Sequence, residues 1–168
     1  MTSLSEVAEL AEVLQSESWS RDGRFSYTER KEIRAELENY LPEYDLIGSG
    51  STRIVIHKPE QETVYKINCI PDDSQNRTEV RIWEHGCENI PQEHLAEVFE
   101  WTPSYTVIKM EYCQTLKRMT EQEFQERLSE IYQGYAEYTD EGAKDSWGRS
   151  PDGTLKCRDY GRAIVSSD

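Results

Sequence analysis

Lysine is scarce in this chain, long apolar runs are missing, and neither cysteine nor histidine recurs at a regular spacing. Seven of the nineteen basic residues are lysines and twelve are arginines, against 33 acidic residues, for a net charge of −14. Nucleic-acid backbones and anionic membrane surfaces repel a chain of that charge, so neither is expected as its main partner. No stretch approaches the roughly 20 apolar residues of a membrane span. The start reads as an amphipathic, glutamate-rich helix rather than a secretory leader, which predicts a cytoplasmic protein. The acidic, lysine-poor balance also suits a high-salt cytoplasm. Cys69, Cys87, Cys113 and Cys157 lie far apart, with no pair at metal-ligand spacing, and His57, His85 and His94 are equally scattered. Reduced, mostly buried thiols are expected, rather than a zinc site or a Cys–His nucleophile.

What is present suffices for one domain with a core, with or without an appendage: 168 residues, 36% of them hydrophobic. Leu4, Val7, Leu10, Val13 and Leu14 recur at helical spacing and predict a helix over 3–16. A polar linker follows over 18–25, with a turn at Asp22-Gly23. A second helix is expected from Tyr27 or Thr28 to Tyr40. Glu29 suits its positive end, Thr28 and Lys31 make no capping box, and Pro42 stops it. Strands are expected over 44–48, 54–57 and 63–68, with a tight loop over 58–62. The pattern turns helical over 74–84, closed by Gly86. Strands over 97–101 and 105–110 meet across Thr102-Pro103-Ser104. After a linker at Gln114-Thr115, Thr120 and Glu123 form a capping box for a long helix with the stripe Phe124, Leu128, Ile131, Tyr132, Tyr135. An acidic loop over 138–153 and a strand over 155–158 lead to Asp159-Tyr160-Gly161.

The stretch 44–66 organises the rest. Gly48, Ser49 and Gly50 stand in Ile47-Gly48-Ser49-Gly50-Ser51-Thr52-Arg53-Ile54-Val55. Glycines there let backbone N–H groups approach phosphate oxygens with no Cβ in the way. The same glycines also suit an ordinary hairpin turn. Lys66 stands in Val64-Tyr65-Lys66-Ile67. It reads either as a phosphate ligand or as an outward strand residue, and the apolar residues on both faces favour the first.

In order and with the intervening elements, these residues resemble the protein-kinase fold. Gly48-x-Gly50-x-x-Arg53-x-Val55 keeps two glycines and the valine of the glycine-rich loop, with arginine at the third glycine position. Lys66 resembles the third-strand lysine that reaches the α- and β-phosphates, and Glu79, on the side of its helix that carries Ile82 and Trp83, the glutamate that pairs with it. Met110 to Cys113 looks like the hinge, with Glu111 and Cys113 offering backbone groups to an adenine. Asp159-Tyr160-Gly161 resembles the magnesium-binding Asp-Phe-Gly motif. The run from Gln75 to Trp83, with Trp147-Gly148 and Asp152-Gly153, is also similar to small kinase-like proteins of microbes and their viruses. The resemblance covers 44–161.

It implies an α+β fold in three parts. A helical extension spans 1–42, a kinase-like N-lobe of five antiparallel strands and one helix spans 43–113, and a reduced, mostly helical C-lobe spans 114–168. It implies ATP and Mg²⁺ as cofactors. Gly48, Ser49, Gly50, Val55, Lys66, Glu79, Met110, Glu111 and Cys113 would bind the nucleotide, and Asp145 and Asp159 the metal. The catalytic residues would be Lys66 with Asp140 or Glu141. The catalytic-loop register stays open: Trp147-Gly148 sets Glu141 as base with Ser146 at the asparagine position, and a one-residue shift sets Asp140 and Asp145 there. The activation segment, the Ala-Pro-Glu motif and the substrate-holding helices have no counterpart after Gly161. Three readings follow: a minimal kinase acting on a protein hydroxyl, a pseudokinase that docks a partner through its acidic surface or N-terminal helices, or a piece of a longer enzyme.

Overall fold

The computed structural model describes residues 2–20, 23–132 and 143–163. The chain divides into two compact units, Met1–Asn76 with Phe99–Met110, and Arg77–Val98 with Glu111–Asp168.

The first unit opens with two capped helices, α1 (Leu4–Ser16) and α2 (Tyr27–Tyr40). Ser3 caps α1 and Ser26 caps α2, each exchanging hydrogen bonds with a glutamate three residues on, Glu6 and Glu29. The second helix therefore has a capping box after all, two residues before the Thr28–Lys31 pair that makes none. Glu29 also accepts the Ser20 N–H at 2.6 Å, which fastens the incoming linker.

Three strands follow, β1 (Asp45–Ser49), β2 (Arg53–His57) and β3 (Thr63–Asn68). With β4 (Val98–Trp101) and β5 (Val107–Glu111) they form an antiparallel sheet in the order β1-β2-β3-β5-β4. In the β2–β3 ladder Ile54 faces Ile67 and Ile56 faces Tyr65, so these four share one side of the sheet. They join Val7, Leu10, Ala11 and Leu14 of α1 and Ile33 and Leu37 of α2 in a single core cluster. The N-terminal helices are thus integral to the unit: each buried aliphatic side chain contributes about 1.5–3 kcal/mol. The linker is less polar than its sequence suggested. Phe25 is buried, with the Trp19 ring edge-on to it at 5.7 Å.

α3 (Gln75–His85) begins in the first unit and continues in the second, ending at Gly86, whose φ of 97° satisfies the helix C-terminus. The second unit adds β6 (Gln114–Thr115), α4 (Glu121–Ile131), β7 (Trp147–Arg149) and β8 (Leu155–Cys157). The strands form a second antiparallel sheet, β6-β7-β8. The expected linker at Gln114-Thr115 is therefore an edge strand. α4 starts at the predicted capping box but is capped at its far end by Tyr132, and Tyr135 lies outside the described residues. Phe124 of α4 meets Trp147 edge-on at 6.3 Å. No helix among the described residues is long and apolar enough to cross a membrane.

Candidate functional site

The glycine turn closes the β1–β2 hairpin. Gly48 faces Val55 and Ser49 faces Ile54, and a bulge between Leu46 and Gly48 shifts the register. The Gly50 N–H donates to the Arg53 carbonyl at 2.8 Å, and the Gly50 carbonyl accepts from the Phe25 N–H at 3.2 Å. Neither glycine has a positive φ. A Cβ on Gly48 would meet Val55 at 3.5 Å, and one on Gly50 the Arg53 carbonyl at 3.7 Å, both ordinary contacts. The backbone thus makes a tight turn that does not itself require glycine, with space where each side chain would stand.

The strand period sorts the rest of this unit. Val55 faces Lys66 and Arg53 faces Asn68, so these four lie on the side of the sheet opposite the apolar cluster. Lys66 is 4% exposed and Arg53 6%, so two cations are buried on this side among apolar neighbours such as Val64. Asn76, fully buried at the start of α3, organises it. Its side-chain oxygen accepts from Arg53 at 3.1 Å, and its NH₂ donates to the Lys66 carbonyl at 3.2 Å and the Thr106 carbonyl at 3.1 Å. Thr52 donates to Asp73, whose other oxygen caps the Gln75 N–H. Asn68 donates to the Asp73 and Tyr105 carbonyls, while its own Oδ1 is buried with no hydrogen-bond partner. Met110 is buried at the end of this unit.

In the second unit Glu79 is fully buried and accepts the Tyr160 N–H at 3.1 Å, so its carboxylate is tied to the Asp-Tyr-Gly segment. Tyr160 is itself buried and donates its hydroxyl to the Ala96 carbonyl at 2.7 Å. Burial first, and the Glu79 charge second, push its phenol well above the usual range. Asp145 ends up beside Asp159 through the backbone. The Ser146 carbonyl accepts from the Arg158 N–H at 2.8 Å and from the Asp159 N–H at 3.2 Å. Both aspartates are exposed, whereas Ser146 is buried. Asp140 and Glu141 lie outside the described residues.

The expected hinge is held within the unit. The Glu111 N–H donates to the Glu97 carbonyl at 2.8 Å, and the Glu111 carboxylate takes Lys156 at 2.8 Å. The Cys113 carbonyl accepts from Arg158 at 2.8 Å. Gly148 shows why the Trp147-Gly148 pair needs glycine: a Cβ there would stand 2.8 Å from the Cys113 carbonyl, the Cys113 Cβ and the Gln114 carbonyl. Here β6 and β7 approach too closely for any side chain.

Arg53, Asn76 and Arg158 are the residues that the sequence did not single out as functional. Arg53 carried a signal, a cation on the same strand period as Val55. Asn76 and Arg158 carried none, since their roles depend on carbonyls distant in sequence.

The donor types present suit magnesium and phosphate. Mg²⁺ takes oxygen ligands, one or two carboxylates completed by phosphate and water, and Asp145 and Asp159 are exposed carboxylates on two segments joined through the Ser146 carbonyl. Among the described residues no group of three or more His, Cys, Asp or Glu side chains is arranged to hold a metal ion alone. In the first unit, Lys66 and Arg53 are cations of the type that pairs with phosphate oxygens. No protein-family model matches the chain, and neither curated proteins nor solved structures yield a match.

Proposed function

We propose that this chain binds a magnesium nucleotide in the manner of a minimal protein kinase. The observation that carries the reading is Lys66, held at 4% exposure opposite Val55 on the side of the sheet away from the cluster that α1 and α2 cover. A lysine ammonium is costly to bury unless it is paired, and a buried lysine on a strand beside a glycine turn suits a group that meets phosphate. The glycine turn beside Val55, the Asp145–Asp159 pair and the tie from Glu79 to the Asp-Tyr-Gly segment support the same reading. In it Lys66 takes the α- and β-phosphates, and Asp159 with Asp145 takes the metal. Asp140 or Glu141 orients an acceptor hydroxyl, receiving its proton as the γ-phosphoryl group leaves the β-phosphate.

Thermal unfolding with Mg-ATP tests it. Nucleotide at a hundredfold excess over its Kd stabilises the folded state by about 2.7 kcal/mol, a rise of roughly 5–10 °C for a chain of this size. The rise is expected in the wild type and not in Lys66→Ala. A flat midpoint at millimolar ATP, with the protein folded, refutes nucleotide binding.

A second reading, binding without transfer, draws on the hinge. The Glu111 N–H and the Cys113 carbonyl are bonded inside the chain, which suits a pseudokinase acting as an interaction module. A thermal shift without phosphate transfer to added proteins supports that reading. Partner docking through the N-terminal helices would then use their charged outer faces, because their apolar faces are spent in the core.

A further inference from the structure

Arg158 precedes Asp159, and its guanidinium reaches two separate parts of the second unit. Nη1 donates to the Cys113 carbonyl at 2.8 Å and to the Thr115 hydroxyl at 3.2 Å. Nε and Nη2 donate to the Asp145 carbonyl at 3.4 and 3.3 Å. Its own N–H, with that of Asp159, is bonded to Ser146. The arginine therefore grips the backbone of Asp145 with its side chain and that of Ser146 with its main chain, and anchors both to β6. Three of its acceptors are backbone carbonyls, so what it fixes is the path of the chain at the two aspartates. A planar fork with five donors can span these acceptors at once, and a lysine ammonium cannot. The 3-10 turn at Lys144–Ser146 has no side-chain cap hydrogen bond of its own.

We propose that Arg158 is the positioning residue that sets the spacing of Asp145 and Asp159 for a divalent cation carried by a nucleotide phosphate. The inference rests on the nucleotide-binding reading above and adds to it the residue that tunes its metal. Arg158 touches neither metal nor phosphate in this role. It acts through the two carboxylates, and loosening it lets them drift from the near-octahedral geometry that magnesium demands.

The test is a thermal-shift titration of the full chain with MgCl₂ at fixed ATP, with a parallel series in EDTA. Wild type, Arg158→Lys, Arg158→Gln and Thr115→Val are compared. The expected result is a rise of at least tenfold in the Mg²⁺ concentration giving half the nucleotide-dependent shift in Arg158→Lys and Arg158→Gln. The metal-free ATP shift stays as in the wild type. Thr115→Val removes a single arm and moves the Mg²⁺ midpoint less. In an Asp145→Asn background, Arg158→Lys adds no further change, because both act on one site. A purely structural arginine lowers the unfolding midpoint in buffer and leaves the Mg²⁺ midpoint in place, and that result overturns the inference. If Arg158→Gln fails to fold, Arg158→Lys and the Asp145→Asn cycle decide. A wild type that shows no nucleotide shift removes the nucleotide-binding reading and the inference with it. A wild-type shift with unmoved variants removes the inference alone.

Discussion

In the first unit, the glycines of the β1–β2 turn have room around them, whereas Gly148 in the second has two carbonyl oxygens and a Cβ 2.8 Å from where its own Cβ would be. The two units differ in the same way at larger scale. The first rests on a continuous apolar cluster drawn from two helices and three strands, and can spare one side of its sheet for Arg53, Lys66 and Asn76. The second has strands of only two or three residues. Beside buried residues such as Leu95, Phe124, Leu128 and Trp147, its path is held by polar groups at close range, among them Arg158, Ser146 and Glu79. At the turn of the first unit a methyl group would meet its neighbours at ordinary contact distance. Glycine in the second lets two backbone segments touch.

The comparison can be broken at its strongest point by opening the first core. Leu10→Ala removes a fully buried side chain between α1 and the sheet and is expected to cost about 2–5 kcal/mol in denaturant unfolding. A cost below about 0.5 kcal/mol would mean that the helices are an appendage after all. Next in size, Gly148→Ala is expected to cost about 1–3 kcal/mol, because β6 must move off β7 to admit the methyl group. Gly50→Ala, by contrast, should fall within about 0.5 kcal/mol of the wild type. Equal costs for the two would erase the distinction between a spacious and a crowded glycine.

The smallest effect sharpens the picture of the β7–β8 hairpin. Asp152 accepts from the Ser150 hydroxyl and from the Thr154 N–H at 2.9 Å, and these bonds pull its carboxyl down to about 2. A folded-state value below the unfolded one near 3.9 means that the contribution is complete above about pH 4. It is lost as the pH falls through about 2. The wild type and Asp152→Asn should therefore differ in stability at pH 6 and converge near pH 2 in urea titrations. A gap that widens on acidification would contradict this sign.

Much of this architecture was legible because period and punctuation agreed. Ile54, Ile56, Tyr65 and Ile67 alternate as a half-buried sheet must, and Gly86 and Pro42 end helices as expected. Thr120 with Glu123 announced α4. What escaped has physical reasons. The Ser26–Glu29 capping box escaped because a helix start at Tyr27 or Thr28 set Glu29 against the helix dipole rather than against Ser26. Gln114 and Thr115 are exposed and polar, so a two-residue edge strand leaves no hydrophobic period. Asn76 stands in the polar first turn of its helix, and only the carbonyls of Lys66 and Thr106, distant in sequence, show that it is buried for a purpose. Lys66 was legible as an oddity among apolar neighbours. Arg158 was not, since an arginine next to an aspartate in an acidic chain reads as surface.

One bond from the linker bears on how the β1–β2 turn behaves in time. The Phe25 N–H is bonded to the Gly50 carbonyl, and the Phe25 ring is buried against Trp19. Lifting the turn would break that bond and strain a ring 1% exposed. The turn is therefore tied to the linker, and its opening is expected to follow local unfolding rather than nanosecond loop motion. Amide hydrogen exchange at Phe25 would report that opening directly.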